Sequence, residues 1–409
     1  MRCTFLKIIL YEHVSSGGYA EQLIHQSVLS EGFGMLRSIA SDLKSAGHEV
    51  TVLLDERISK LKPPIEADCF VPIVYAKEPQ RFLRSIAKIN DALYIIAPET
   101  AGVLQSLVEL IEGTGKVSLN CESEAIAKVA DKTALYKKLL NLGFAPKTVI
   151  LNLTDNLAKT EQEIKKTLNY PIVLKPADGV SCSGLSLVED EEQVQKAIEK
   201  IRADSQSERF IAQQFVAGED ASVSLLSTGE KAVAVSLNKQ NITLAEPDGI
   251  SSYDGGSVPF DHQLKQEAFR VAEKVVKSIA GLRGYVGVDL ILTQEKPFVV
   301  DVNPRLTTSY VGLRRVAGFN VAEAIVSAVL KGSLPTKIAT NRYASFSKID
   351  TKKPSVNAFY KATHLNNVVS PPFPLNETST TLLIGEGESL QDSRLQLEEA
   401  KKSLLSIIS

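Results

Sequence analysis

Over its first 120 residues the chain alternates short apolar runs with amphipathic stretches. "FLKIILYE" (5–12), "HEVTVLLD" (48–55), "CFVPIV" (69–74), "ALYIIAPE" (92–99) and "KVSLN" (116–120) read as strands, rich in β-branched and aromatic residues. Between them, "EGFGMLRSIASDLKSAG" (31–47) has a helical apolar period, with Gly47 placed to end it. Further helices centre on "PQRFLRSIAKI" (79–89) and "TAGVLQSLVELIEG" (100–113). Strands that alternate with helices predict a parallel sheet with helices on its faces. Ligands of such sheets sit beyond the carboxyl ends of the strands. The residues there are Glu12 with Ser15 to Gly18, and Glu99.

The pattern then changes. Residues 122–142 read as one helix, closed by Gly143. Strand runs follow at 148–153, 171–176, 185–189, 209–216, 221–227 and 232–238, with helical patterns at 156–169 and 191–203. A loop rich in Gly, Ser and Asp (248–257) precedes a helix at 263–282. "YVGVDLILTQEKPFVVDVNPRLTTS" (285–309) reads as an antiparallel hairpin, and "VAEAIVSAVLKG" (321–332) as a helix. The remainder predicts short strands and a charged closing helix at 395–407.

Composition narrows the class. The 409 residues suit about two to four domains. A hydrophobic share of 44% and a charged share of 23% are those of a globular protein. A net charge of −2 gives no general attraction to nucleic acid or an anionic membrane. Cys3, Cys69, Cys121 and Cys182 lie far apart, which argues for a reducing compartment and against a zinc site or disulfide frame. The opening apolar run is broken by Lys7 and is too short for a signal-peptide core; no stretch reaches the length of a membrane span. These features read as cytoplasmic. The first strand is not followed by GxGxxG, and no GxxxxGK[ST] occurs, so dinucleotide and P-loop folds are disfavoured.

The hairpin carries the strongest chemical signal. With its turn centred on Glu295, Asp289 faces Asp301, and Asn303 shares the face of Asp301. Directly opposed carboxylates repel, but two of them with an amide oxygen suit a hard divalent cation. Arg305, beyond the strand end, is placed to neutralise a transferring phosphoryl group. Three weaker signals surround it. Lys175 ends a strand before the loop "ADGVSCSG", whose small residues let backbone N–H groups approach phosphates. Lys132 follows Asp131 inside the predicted helix 122–142. The edge from Gln213 to Val216, with Asp220 after it, has the groups an adenine and a ribose require. Each of these three has an ordinary alternative: a surface loop, a solvated lysine, a hairpin end.

In combination and order, "DK" on a helix, "LKP" with its Gly-rich loop, "QQFVAGED", "GVDLIL" and "VDVNPR" resemble the ATP-grasp superfamily of carboxylate–amine or carboxylate–thiol ligases. The resemblance spans nearly the whole chain. It implies an α/β ATP-grasp fold in four parts: a Rossmann-like domain (1–122), two α+β lobes clasping ATP (123–208 and 209–334), and a C-terminal extension (335–409). It also implies an ADP-forming ligase using ATP and Mg²⁺, with Mn²⁺ as a substitute. Lys132 and Lys175 would contact phosphates, under the loop of Asp178, Gly179, Ser181, Ser183 and Gly184. Gln213, Phe215 and Val216 would hold adenine, and Asp220 the ribose. Asp289, Asp301 and Asn303 would hold metal, and Arg305 and Lys175 would act catalytically. Two departures stand out: Asp301 where the family more often has Glu, and Cys182 at a position usually small. "YEHVSSGG", "SEGFGML", "YDGGSVP" and "NPRLTTSYVGL" are further similar to the archaeal tyramine–L-glutamate ligases of methanofuran biosynthesis, which implies amino-acid and amine substrates. Candidate substrate contacts are Glu12, Ser15, Glu31, Tyr253, Asp254, Arg283 and Thr308. The C-terminal tail is a candidate cap over the site or homodimer contact. Ligation of a different amino acid or a peptide, and a nucleotide-binding module without turnover, are the alternatives.

Overall fold

Ile8, Ile9 and Leu10 are wholly buried, as an unbroken apolar run requires of a strand covered on both faces. The computed structural model of the chain describes residues 5–19, 22–74, 79–179, 182–205 and 207–408. Strands β1 (Lys7–Glu12), β2 (Glu49–Asp55), β3 (Cys69–Ile73), β4 (Ala92–Ile96) and β5 (Val117–Ser118) form a parallel sheet in the order β3-β2-β1-β4-β5. The order reverses between β1 and β4. Glu12 ends one of these strands and Glu99 follows the other, so both lie at the switch point where such sheets bind ligands.

A second sheet is antiparallel, β6-β9-β7-β8, built from β6 (Thr148–Asn152), β7 (Ile172–Pro176), β8 (Ser186–Val188) and β9 (Arg209–Gln214). Its core is its own and includes Leu151, Ile164, Leu174 and Phe210. The third sheet has eight strands in the order β14-β13-β10-β11-β12-β15-β17-β16. Its members are β10 (Glu219–Thr228), β11 (Ala232–Thr243), β12 (Ser252–Val258), β13 (Arg283–Leu292), β14 (Pro297–Asn303), β15 (Tyr343–Lys352), β16 (Val368–Ser370) and β17 (Thr378–Gly387).

The structure departs from the sequence pattern in five places. The helix at 122–142 is two helices, Ser123–Ala130 and Lys132–Asn141, because Asp131 leaves helical geometry and caps the second through the N–H groups of Thr133 and Ala134. Lys132 therefore opens a helix. Much of the loop at 248–257 is strand β12, whose Gly255 and Gly256 lie so close to the Phe346 and Lys239 backbones that a side chain would not fit. A helix at Tyr310–Val316 was not indicated by the pattern. β15 and β17 are ten residues each, not short. Helix Gln26–Ser45 begins before the pattern at 31–47 and is buried on two faces, against β1 and β2 and against β16 and β17. Among the described residues, no helix is long and apolar enough to cross a membrane.

Candidate active site

The β13–β14 hairpin sets the register. Leu292 pairs with Pro297 around a four-residue loop, which by itself would set Asp301 opposite Val288, on the apolar core face. A bulge between Val299 and Asp301 inserts Val300 and returns Asp301 to face Asp289, with Asn303 opposite Gly287. The expected carboxylate pairing is observed; the bulge produces it, not a turn centred on Glu295. Burial, then the neighbouring Asp301, pushes the Asp289 carboxyl up to about 6. Asn303 Nδ2 donates to it at 2.9 Å and Gln240 Nε2 at 3.1 Å. Lys132 Nζ lies 2.6 Å from Asp301 Oδ2, with a side chain only 8% exposed.

Lys175 reaches the same place from the end of β7. Its ammonium donates to the Tyr136 hydroxyl, to Gln213 Oε1 at 3.2 Å and to the bulge carbonyl of Val300 at 3.3 Å. It also stands 4.6 Å from the centre of the Tyr136 ring. Burial, and then Lys132, bring its pKa down to about 7, against the opposing pull of Asp301 and Asp289. The Gln213 side chain is engaged at both ends, since its Nε2 also donates to Thr148 Oγ1 at 2.9 Å. The Phe215 N–H donates to Pro171 O at 3.3 Å, and Val216 is half-buried. Asp220 is half-buried at the start of β10, its pKa raised by burial and lowered in part by Lys239.

In the Gly-rich loop, Asp178 accepts from Ser205 Oγ at 2.5 Å, and the Gly184 N–H donates to Asp204 Oδ2 at 2.9 Å. Gly179 and Gly184 close over the Pro176 ring. Ser183 is exposed, and Ser181 lies outside the described residues. Cys182 adopts a left-handed φ of 66°. Burial moves its thiol up to about 11, with smaller effects from Glu31, Asp289, Lys348 and Asp220, so Cys182 lies within electrostatic reach of these groups.

The opposite wall comes from the first sheet and the helix beside it. Arg305 Nε lies 3.0 Å from Glu99 Oε1, and its Nη1 donates to Leu306 O at 3.1 Å. Burial works against the guanidinium charge, and Glu99, with smaller effects from Asp289 and Glu31, outweighs it. Glu12 is buried and accepts from the N–H groups of Val14 (3.1 Å) and Ser15 (2.7 Å) and from Ser15 Oγ (2.6 Å). Burial still raises its pKa. Glu31 binds Lys348 Nζ at 2.7 Å and Thr308 Oγ1 at 2.7 Å. Lys348 also donates to Ser27 Oγ at 2.8 Å and lies 5.8 Å from the centre of the Tyr253 ring.

Two candidate contacts fall away from this cluster. Arg283 begins β13, six residues before Asp289 and so roughly 20 Å along the strand. It binds Asn120 O and Glu122. Asp254 is exposed and accepts from Ser252. Conversely, Tyr136, Gln240 and Lys348 belong to the cluster and were not singled out by sequence. Tyr136 had a weak signal, lying one helical turn after Lys132; Lys348 had none, in a segment without a motif.

Among the described residues no three His, Cys, Asp or Glu side chains gather as a metal site. That leaves the mixed oxygen set. Asn303 uses its nitrogen on Asp289, so its amide oxygen remains to face a cation beside two carboxylates. This donor set fits a hard divalent ion and not a soft one.

Residues 129–309 match the family model of an ATP-grasp domain, and residues 48–126 that of a pre ATP-grasp 3 domain. A tyramine–L-glutamate ligase from Methanocaldococcus fervens is 30% identical over 309 residues, covering 75% of this chain and 89% of its own. One from Methanocaldococcus jannaschii is 27% identical over 338 residues, covering 82% and 93%. A biotin carboxylase from Campylobacter jejuni, solved as a β,γ-ATP complex, shares the fold with a TM-score of 0.72 at 17% identity, covering 97% of this chain and 91% of its own.

Proposed function

The chain belongs to the ATP-grasp family, and on that premise we propose that it is an ADP-forming carboxylate–amine ligase that joins glutamate to tyramine or a similar aryl-ethylamine. The observation that carries the ligase reading is the meeting of Lys132 and Lys175 with the Asp289–Asp301 pair, across a cleft from Arg305. The sequence similarity to tyramine–L-glutamate ligases supports the substrates.

Lys132 and Lys175 hold the ATP phosphates. Lys175 sits near half-protonation at neutral pH, and an arriving polyanion draws it to the charged form. A Mg²⁺ ion held by Asp289, Asp301 and Asn303 would supply charge to offset that of the phosphates. Adenine lies along Gln213, Phe215 and Val216, and the ribose hydroxyls at Asp220. A glutamate carboxylate oxygen attacks the γ-phosphorus, the bond to the β–γ bridging oxygen breaks, and ADP leaves. Arg305 orients the carboxylate and neutralises charge on the transferred group. The amine nitrogen then attacks the acyl carbon, loses a proton, and inorganic phosphate departs. Glu12, a buried carboxyl with a raised pKa, is the proton acceptor on the amine side. Asp178, Gly179 and Cys182 to Gly184 of the Gly-rich loop lie on the acyl-phosphate side of the cleft and restrict water there.

Incubation with MgATP, glutamate and hydroxylamine tests this. γ-Glutamyl hydroxamate and stoichiometric ADP are expected, with tyramine competing for the intermediate. AMP with pyrophosphate would overturn the acyl-phosphate route. Hydroxamate from another carboxylate but not from glutamate would overturn the substrate and leave the ligase.

A further inference from the structure

The ion pair between Glu31 and Lys348 has no part in that reaction as described, yet it lies in the same cleft. The Glu31 charge reaches both the Arg305 guanidinium and Cys182 of the loop, and the Lys348 charge reaches the same Cys182. Thr308 ties Glu31 to the segment three residues beyond Arg305. The two side chains come from elements far apart in sequence, helix Gln26–Ser45 and strand β15, and are only 17% and 14% exposed. Lys348 lies beyond residue 309, where the match to the ATP-grasp domain ends.

We infer that Glu31 and Lys348 form a clamp for the zwitterionic end of an α-amino acid, with the substrate ammonium on Glu31 and its α-carboxylate on Lys348. This rests on the ligase reading and adds to it a choice of reacting carboxylate. The other cations of the cleft, Arg305, Lys132 and Lys175, are already used by the reaction as described. Arg305 already has Glu99 and Lys132 has Asp301, whereas Lys175 binds only neutral oxygens. A zwitterion inserted between Glu31 and Lys348 exchanges one ion pair for two and leaves the charge balance of that corner unchanged. Half-desolvated groups make this exchange selective, because a ligand lacking either charge leaves its partner unpaired. Thr308 and Ser27 hold the two ends while they open. With the α-end fixed there, the second carboxylate of a dicarboxylic amino acid extends toward Arg305, and the γ-carboxyl becomes the acceptor. A pair that only braced helix Gln26–Ser45 against the C-terminal segment would be redundant, since the helix already packs on β16 and β17 and Phe33 on Phe373 at 4.9 Å between ring centres.

The test compares hydroxamate formation from glutamate, from glutarate, which lacks the ammonium, and from 4-aminobutyrate, which lacks the α-carboxylate. In the full-length wild type, kcat/KM for glutamate should exceed each analogue by about 10- to 100-fold, the scale of one lost charge-assisted hydrogen bond. Glu31→Gln should remove the preference over glutarate, and Lys348→Met the preference over 4-aminobutyrate. Each should act through KM for the acid, with KM for ATP unchanged, and Lys348→Arg should recover part of the loss. Parallel losses for all three acids, or a shift in the KM for ATP, would show a structural brace and overturn the clamp while the ligase stands. If the wild type activates another amino acid in place of glutamate, its own des-amino and des-carboxy analogues give the same ratios. Failure to activate any amino acid overturns the ligase reading and the clamp together, a result distinct from parallel losses.

Discussion

Asp289 is where folding and chemistry pull apart. Its carboxyl is buried against a second carboxylate, and its pKa rises from 3.8 to about 6. Between those values the folded chain binds more protons than the unfolded one, so this group lowers stability as pH rises through that window and keeps it lowered above. The full effect is up to about 3 kcal/mol. Asp289→Asn removes it while Lys132 keeps its partner Asp301. Without Mg²⁺, the melting temperature of the variant relative to wild type should therefore be higher at pH 8 than at pH 4.5, with ligase activity lost at both. Asparagine has one acceptor fewer for Gln240 and Asn303, so the pH dependence of the difference is the diagnostic quantity. A difference independent of pH would mean that Asp289 is charged without penalty. The two aspartates were legible in the sequence because each interrupts an otherwise apolar strand, but their facing each other depends on the bulge at Val300, which alternation does not predict. The depressed pKa of Lys175 was not, because it depends on burial by Tyr136, Gln213 and Val300, which arrive from three other elements.

At the scale of elements, the helix Gln26–Ser45 is held so close to β1 that a Cβ on Gly32 would lie 2.5 Å from the Glu12 carboxyl. That carboxyl is the far end of a side chain, but three hydrogen bonds pin it. Gly32→Ala should gain about 1 kcal/mol of helix propensity and still destabilise the protein, by about 1–3 kcal/mol net from overpacking. In a double-mutant cycle read by urea denaturation, Glu12→Ala should relieve most of this. Simple additivity of the two changes would refute the close approach. Element types were mostly readable from period, but their interruptions were not. Nothing in "PFVVDVN" marks Val300 as the bulge, because bulges answer to the partner strand. The break at Asp131 did leave a trace: an Asp two residues before Thr133 is a capping residue inside an otherwise helical pattern.

At the scale of the molecule, the chain's two ends share one core. Ile8 and Leu10 of β1 and Phe33 of the adjoining helix belong to the same buried cluster as Phe346, Phe359, Phe373, Leu382 and Ile384. Arg37 adds donated hydrogen bonds to the carbonyls of Val368 and Val369. The four-stranded sheet β6-β9-β7-β8 has instead a separate core of its own. Residues after 334 are therefore proposed to be integral to the fold, while the lobe carrying Lys175 is the more independent unit. Cutting the chain at 334 would bare the β12 edge, which pairs with β15, along with the helix face that covers β17. The fragment 1–334 should be insoluble or unfolded by circular dichroism. In the intact protein, amide hydrogen exchange should show β6 to β9 opening at a lower free energy than β1 and β17, which should exchange together near the global value. A soluble 1–334 fragment that binds MgATP would show that the C-terminal strands only decorate the core. Protection of β17 lost well before that of β1 would show the same from the intact chain.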